Sequence, residues 1–230
     1  MAHHPPLWTN RHQAGLELAA VLARGQELDP RTLLLGLPRG GVPVAAAMAA
    51  RLGLPLATWS VRKVADPTWP ELAIGAVAAG GVVVWRNGDG AIRRATTARM
   101  HGWLREQEEE LRRRQEVFGD PPGEQLRGRP LIVVDDGIAT GMTVKAALLS
   151  LRRLAPASLV LAVPVVDRAI ASELAQLVDR FEALAVVDDL RAVGLWYEHF
   201  EQLRDDQVLA LLNQPRAGSA PAPAGLLDQP

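Results

Sequence analysis

Residues 131–143 read Leu-Ile-Val-Val-Asp-Asp-Gly-Ile-Ala-Thr-Gly-Met-Thr. The apolar run at the start predicts a strand that is buried on both faces, as in a parallel sheet. This strand carries Asp135 and Asp136 to its carboxyl end, where open α/β sheets bind their ligands. The small residues that follow lead into a helix predicted over 142–154, and a helix N-terminus favours phosphate. Carboxylates repel phosphate, so we expect the two acids to bind hydroxyl groups or a metal ion.

The same alternation of short apolar runs and helical patterns recurs along the chain. The predicted strands span 32–37, 56–61, 159–163 and 183–187, and the further predicted helices span 11–23, 42–51 and 169–178. Such alternation predicts an α/β fold in which helices cover both faces of a parallel sheet.

The middle of the chain follows a different pattern. The polar stretch from Arg62 to Glu71 contains two prolines, Pro67 and Pro70, and we predict a surface loop there. The runs 72–77 and 82–85 flank Gly80-Gly81 and predict a hairpin, with Asn87-Gly88 as the next turn. The charge-dense stretch 91–117 is typical of one long helix with a solvated face.

Composition limits the classes of function. The chain has 230 residues, a formal net charge of −1 and no cysteine. This near-neutral charge predicts no nucleic acid and no membrane among its partners. Without cysteine there is no disulfide and no thiolate metal site, so a cytoplasmic location is expected. We predict one domain over 1–213 and a disordered tail over 214–230, which is rich in Pro, Ala and Gly.

A ribose with a vicinal diol and a 5′-phosphate suits both halves of the 131–143 pattern, which here resembles the type I phosphoribosyltransferase signature. Leu35–Val44, with Pro38-Arg39-Gly40-Gly41, resembles the pyrophosphate loop of that family. Arg62–Glu71 lies where the family has its mobile catalytic loop. The chain is most similar to a bacterial branch that shares LPRGGVPVA, VRK, ELAIGA and VDDGIATG.

The resemblance implies a parallel-sheet phosphoribosyltransferase fold with a small hood, built from 190–213 and the N-terminal segment. It implies transfer of a phosphoribosyl group from 5-phosphoribosyl-1-pyrophosphate (PRPP) to a nitrogenous base, with Mg2+ as cofactor and release of pyrophosphate. Asp135 and Asp136 would hold the ribose hydroxyls, and would contact Mg2+ through water. Both acids are predicted catalytic residues, together with Lys63 as the cation that meets the leaving pyrophosphate. A homodimer is expected by analogy with the family.

The remaining implied residues bind phosphate groups or the base. The 5′-phosphate would be held by Ala139, Thr140, Gly141, Met142 and Thr143, and the pyrophosphate by Arg39 and Gly40, with Arg62 as the alternative to Lys63. Trp196 and Tyr197 would present an aromatic hood surface to the base, although an aromatic pair after a strand also serves packing.

Two positions depart from the family pattern. Ala139 replaces the aspartate of the hypoxanthine–guanine branch, which argues against a 6-oxopurine substrate. Gly137 replaces a residue that is usually aliphatic.

Less specific interpretations remain open. Paired aspartates at a strand end also cap helices, Pro38–Gly41 also suits an ordinary turn, and Lys63 alone is typical of a solvated surface. The alternative function is a non-catalytic regulatory sensor of PRPP. A lysine in the predicted catalytic loop and the lack of a basic DNA-binding segment favour the enzyme.

Overall fold

The computed structural model describes residues 5–24, 28–66, 69–86, 88 and 90–214. The predicted tail beyond Gln214 and the turn residue Asn87 lie outside the described residues. The strands are β1 (Leu33–Gly36), β2 (Leu56–Thr58), β3 (Val61–Asp66), β4 (Trp69–Ala78), β5 (Val82–Trp85), β6 (Pro130–Val134), β7 (Ser158–Asp167) and β8 (Arg180–Val187). The α-helices are α1 (Arg11–Leu22), α2 (Gly41–Leu52), α3 (Ala91–Met100), α4 (Trp103–Phe118), α5 (Met142–Arg152), α6 (Arg168–Ala175) and α7 (Asp205–Leu212).

The main sheet is parallel and has five strands in the order β2-β1-β6-β7-β8. Alternate residues of β6 face opposite layers, as a strand requires. Ile132 and Val134 pack against α1 and α2, whereas Leu131 and Val133 belong to the core that contains α5. The predicted α/β fold, with a parallel sheet and helices on both faces, is confirmed.

The register of the central strands places two chain segments side by side. Gly36 at the end of β1 pairs with Val134 at the end of β6. The loop that begins at Leu37 therefore emerges beside Asp135, and the amide of Leu37 donates to the carbonyl of Val134 at 2.9 Å.

A second sheet covers α5. It is antiparallel, with the order β3-β4-β5, and α3 and α4 pack on its other side. The hairpin predicted around Gly80-Gly81 is confirmed by the pairing of β4 with β5. The predicted helix over 91–117 is instead two helices, because the chain turns at Gly102, whose φ is +76°.

The prediction of a surface loop over Arg62–Glu71 is wrong, because the described residues of this segment belong to β3 and β4. Buried Val61 and Val64 anchor β3 from opposite faces. The register shifts between Val64 and Asp66, opposite the start of β4. Pro70 is tolerated at this irregular start of β4. A proline has no N–H to donate, and the regular pairing with β3 does not require one there.

The predicted strand over 56–61 is also interrupted, because β2 and β3 belong to different sheets. The partly buried carboxylate of Asp120 accepts hydrogen bonds from the Thr58 hydroxyl at 2.6 Å and from the Ser60 amide at 2.6 Å. These bonds fix the crossing between the sheets. Burial raises the pKa of Asp120, and the bonds from Thr58 and Ser60 oppose that rise.

Two predicted hood segments meet beside the carboxyl ends of the strands. Trp8 of the N-terminal segment forms a parallel bridge with Tyr197. Helix α7, which lies within the predicted hood range 190–213, packs instead against α2 and α4. Among the helices described, none has both the length and the apolar character needed to cross a bilayer.

Candidate functional site

The Asp136 carboxylate lies between the loop after β1 and the start of α1. Its Oδ2 accepts a hydrogen bond from Arg11 Nε at 2.7 Å, and its side chain is 13% exposed. A β-carbon built on Gly40 would lie 2.0 Å from the same oxygen. Gly40 was predicted to face pyrophosphate, and the structure places its backbone against this carboxylate, where any side chain would collide.

Asp135 is tied to its neighbour. Its Oδ1 accepts from the amide of Asp136 at 2.9 Å. The pKa of Asp135 is raised well above its ordinary value by burial and then by the charge of Asp136. Burial also raises the pKa of Asp136, and the guanidinium of Arg11 opposes that rise. The two acids thus form a compact acceptor group that lacks full hydration and favours hydroxyl donors or a cation.

The turn after the acids is held on β7. The amide of Ile138 donates to Val165 at 2.9 Å, and the amide of Asp167 donates to Ile138 at 2.9 Å. Helix α5 begins directly after this turn, and no side chain of the described residues caps it at Gly141. The first amides of a helix lack partners within the helix and suit an anion. Thr140 is exposed there.

The predicted hood is joined to the acidic turn at two points. The Tyr197 hydroxyl donates to the carbonyl of Asp136 at 2.6 Å. A β-carbon on Gly137 would lie 2.5 Å from Cγ1 of Val193. The missing side chain at position 137, noted as a departure from the family pattern, therefore makes room for Val193.

Tyr197 lies inside an aromatic cluster. Its ring centroid is 5.4 Å from that of Trp8 and 5.2 Å from that of Phe200, and the residue is 4% exposed. Burial, and then the charge of Asp136, raises its pKa. Tyr197 is therefore positioned to fix the hood, whereas Trp196 is partly exposed.

The two arginines predicted for pyrophosphate lie near α4 and α7. Arg39 Nη1 is 3.8 Å from Oδ1 of Asp205, and Arg62 donates to Gln107 Oε1 at 2.9 Å from Nη2 and 3.2 Å from Nε. The pKa of Arg62 is lowered mainly by burial and then by the positive charge of Arg114, with Arg39 also contributing. Arg39 and Arg62 are thus near enough for the charge of Arg39 to affect the pKa of Arg62, in a region that also contains Glu110 and Asp205.

Lys63 lies opposite Ala76 in the pairing of β3 with β4, and its side chain is exposed. Successive strand residues point to opposite faces, so Lys63 and Arg62 lie on different sides of β3. Lys63 shares its face with Val61, which packs on the core that contains α5. The two predicted alternatives are therefore not interchangeable.

A pocket of about 120 Å³ adjoins the turn at Thr140. It is lined by Val84, Trp85, Arg86, Thr140, Gly141, Met142, Lys145, Ile170, Glu173 and Leu174. Neither Asp135 nor Asp136 lines it, so it is separate from the acidic pair.

The acidic pair is suited to hold Mg2+ together with water and substrate phosphates, and not as a metal cage built from the protein alone. Within the part of the chain that the structure describes, no group of three or more His, Cys, Asp or Glu side chains is arranged as a metal cage. Mg2+ usually binds through one or two carboxylates, several waters and the phosphates of a substrate. Asp135 and Asp136 meet that requirement.

Sequence reasoning missed Arg11, Phe200 and Val193. Arg11 lies 125 positions from Asp136 along the chain. A signal was nevertheless present, because Arg11 is the first residue of α1, with Asn10 as the cap, and a cation is disfavoured at a helix N-terminus. No comparable signal marks Val193.

Comparison with known proteins bears on the fold and the family. The TT1426 protein of Thermus thermophilus, known from a crystal structure, is 37% identical, with a TM-score of 0.68 over 89% of this chain and 97% of that one. A protein of Mycobacterium tuberculosis H37Rv, provisionally named a phosphoribosyl transferase, is 41% identical over 225 residues, which is 96% of this chain and 49% of the relative. The AQ2163 protein of Aquifex aeolicus is 10% identical with a TM-score of 0.51 over 80% of this chain and 78% of that one, and shares the fold.

The chain spans about half the length of the curated relatives that it matches. The model of the phosphoribosyl transferase domain matches residues 11–181, a range that begins at Arg11 and includes both aspartates. The chain therefore belongs to the phosphoribosyl transferase domain family.

Proposed function

We propose that this chain binds PRPP together with Mg2+ and transfers the phosphoribosyl group to a nitrogenous base, releasing pyrophosphate. The observation that carries the proposal is the arrangement at the end of β6. Asp135 and Asp136 follow this strand, and a short turn then leads to the uncapped N-terminus of α5. A carboxylate pair beside an anion site matches a ribose diol next to a 5′-phosphate.

The 5′-phosphate would be held by the turn 139–143. Backbone amides at the start of α5 and the hydroxyls of Thr140 and Thr143 supply donors without requiring a cation. The anchoring of Ile138 on β7 keeps this turn at a fixed distance from the acids. A rigid turn binds phosphate without first losing conformational entropy.

The pyrophosphate would lie at the loop after β1. Arg39 extends from that loop, Arg62 lies near enough to be affected by the charge of Arg39, and Lys63 lies on the face of β3 that is turned towards α5. Guanidinium groups match phosphate oxygens in a bidentate manner.

In the proposed reaction, the bond between C1 of the ribose and the pyrophosphate oxygen breaks as a nitrogen of the acceptor bonds to C1. The ribose ring gains positive charge, and the electron pair of the broken bond leaves with pyrophosphate. Asp135 and Asp136 orient the ribose through its hydroxyls, while Arg39 and Lys63, with Arg62 as the alternative to Lys63, offset the negative charge that develops. Positioning and charge stabilisation of this kind are major sources of rate acceleration. Mg2+, when bound, neutralises phosphate oxygens.

The acceptor would enter beside the hood. Tyr197 holds the hood on the Asp136 carbonyl, so Trp196 is the residue that we assign to the base. Ala139 in place of an acid disfavours a 6-oxopurine. A cytoplasmic location and a homodimer remain predictions.

The proposal is tested by mixing the protein with Mg2+ and PRPP and assaying pyrophosphate release across a panel of purine, pyrimidine and pyridine bases. We expect release that depends on one class of base and is lost in Asp136→Asn. PRPP binding without release with any base would instead support the regulatory sensor. Absence of PRPP binding would reject both functions.

A further inference from the structure

Arg11 makes three contacts at the candidate site. Its Nε donates to Oδ2 of Asp136 at 2.7 Å, and its Nη1 donates to the carbonyl of Glu201 at 3.0 Å. Its guanidinium carbon lies 3.7 Å from the centroid of the Phe200 ring. The side chain is 11% exposed. The guanidinium is thus held from several directions in a nearly buried position.

The position of Arg11 in α1 is unfavourable for a cation. It is the first residue of the helix, where the helix dipole is positive, and no acidic residue lies in the first turn. Asp136 and the face of Phe200 supply the compensating interactions. The local sequence therefore places a cation where partners from distant parts of the chain stabilise it.

The contact leaves the carboxylate able to bind a ligand. A carboxylate offers about four acceptor sites on its two oxygens, and Arg11 uses one of them. Gly40 lies against the same group, so the carboxylate is restrained from two sides. A restrained acceptor binds a hydroxyl group with less loss of conformational entropy than a mobile one.

We propose that Arg11 is a positioning residue that holds Asp136 in the orientation in which its carboxylate accepts the hydroxyls of the ribose. This inference rests on the proposed function, because it assigns the sugar diol to Asp136. Arg11 stays in place when the sugar binds, since Glu201 and Phe200 hold it independently of Asp136. It does not compete with the sugar for the carboxylate.

The test compares two sugar phosphates by calorimetry, ribose 5-phosphate and 2-deoxyribose 5-phosphate. Wild-type protein is expected to prefer ribose 5-phosphate. In Arg11→Gln, affinity for ribose 5-phosphate should fall about tenfold, the scale of one charge-assisted hydrogen bond. Affinity for the 2-deoxy compound should change by a clearly smaller factor. The preference, rather than the overall affinity, is therefore what Arg11 controls.

Arg24→Gln is the matched control, because Arg24 is an exposed arginine just beyond the other end of α1. It should leave both affinities unchanged. Arg11→Lys should restore part of the preference, and it carries the test if Arg11→Gln fails to fold. In an Asp136→Asn background, Arg11→Gln should cause little further loss.

Three results would overturn the inference. Equal loss for the two sugars would show that Arg11 only supports the fold, and tighter binding of ribose 5-phosphate by Arg11→Gln would show competition. Unchanged affinity for both sugars in both Arg11 variants would remove Arg11 from the site. If wild-type protein binds neither sugar phosphate nor PRPP, the proposed function itself fails.

Discussion

The backbone of Gly40 lies so close to Asp136 that a β-carbon on Gly40 would be 2.0 Å from Oδ2 and 2.5 Å from Cγ of the carboxylate. We expect Gly40→Ala to displace this carboxylate from Arg11 and from the diol. The variant should weaken PRPP binding by at least about tenfold, measured by calorimetry with Mg2+.

The control for that effect is the double variant of Gly40 and Asp136, whose PRPP affinity is compared with that of each single variant. In Asp136→Ala the carboxylate is already absent, so adding Gly40→Ala should have little further effect on PRPP affinity. Full additivity of the two losses would show that Gly40 acts elsewhere, for example directly on pyrophosphate.

The packing of Val193 on Gly137 couples the hood to the acidic turn. A β-carbon on Gly137 would lie 2.5 Å from Val193 and 2.9 Å from Cγ1 of Val165. Overpacking of this kind costs about 1–3 kcal/mol, so Gly137→Ala should lower the free energy of urea unfolding by that amount.

Val193→Ala provides the matched test. The double variant Gly137→Ala with Val193→Ala should regain a large part of the lost stability, because the methyl groups of Val193 are the nearest obstacle. Failure of Val193→Ala to relieve the loss would place the strain at Val165 in β7.

Glu110 makes stability depend on acid pH. Arg113 donates to its carboxylate at 2.7 Å and Arg114 at 3.0 Å, and Arg113 is the main cause that lowers the pKa of Glu110 from 4.5 to about 2. A carboxyl whose pKa is lower in the folded state stabilises the fold above its unfolded pKa. That stability is lost as pH falls from 4.5 towards about 2.

Glu110→Gln should therefore cost about 1 kcal/mol at pH 7, a value kept small by solvent screening of this partly exposed group. Urea unfolding at several pH values measures it. The difference from wild type should shrink below pH 4.5 and vanish near pH 2. A difference that is constant with pH would show that packing, and not charge, is responsible.

Lys63 and Arg62 differ in the face of β3 that they occupy, which separates their roles experimentally. If Lys63 meets the leaving pyrophosphate, Lys63→Gln should lower the rate of pyrophosphate release while leaving affinity for ribose 5-phosphate unchanged. Lys63→Arg should retain more activity. A larger loss of rate in Arg62→Gln than in Lys63→Gln would reverse the assignment.

The sequence was most informative where one residue pattern allows one structure. The apolar run Leu131–Val134 is short and predicts a strand buried on both faces, and the two acids mark its end. In the structure, β1 and β6 end together and bring Gly40 next to Asp136, a contact that was not predicted from the sequence. The family was recognised separately, from the resemblance of residues 131–143 and Leu35–Val44 to its motifs.

Other features depended on contacts between distant segments. Arg62–Glu71 is polar and contains two prolines, so its local composition favours a loop. Only the pairing of β3 with β4 makes its described residues strands. The pairing of Arg11 with Asp136 joins the start of α1 to the end of β6. Val193 reaches Gly137 from the hood. Such contacts leave little trace in local periodicity.

The most direct measurement is calorimetric titration of the wild-type protein and of the double variant Asp135→Asn, Asp136→Asn with PRPP in the presence of Mg2+. We predict saturable binding by the wild type and a loss of at least about a hundredfold in the variant, since two charge-assisted acceptors are removed. Equal binding by both proteins, or no binding by the wild type, would contradict the assignment of the acidic pair to the ribose diol.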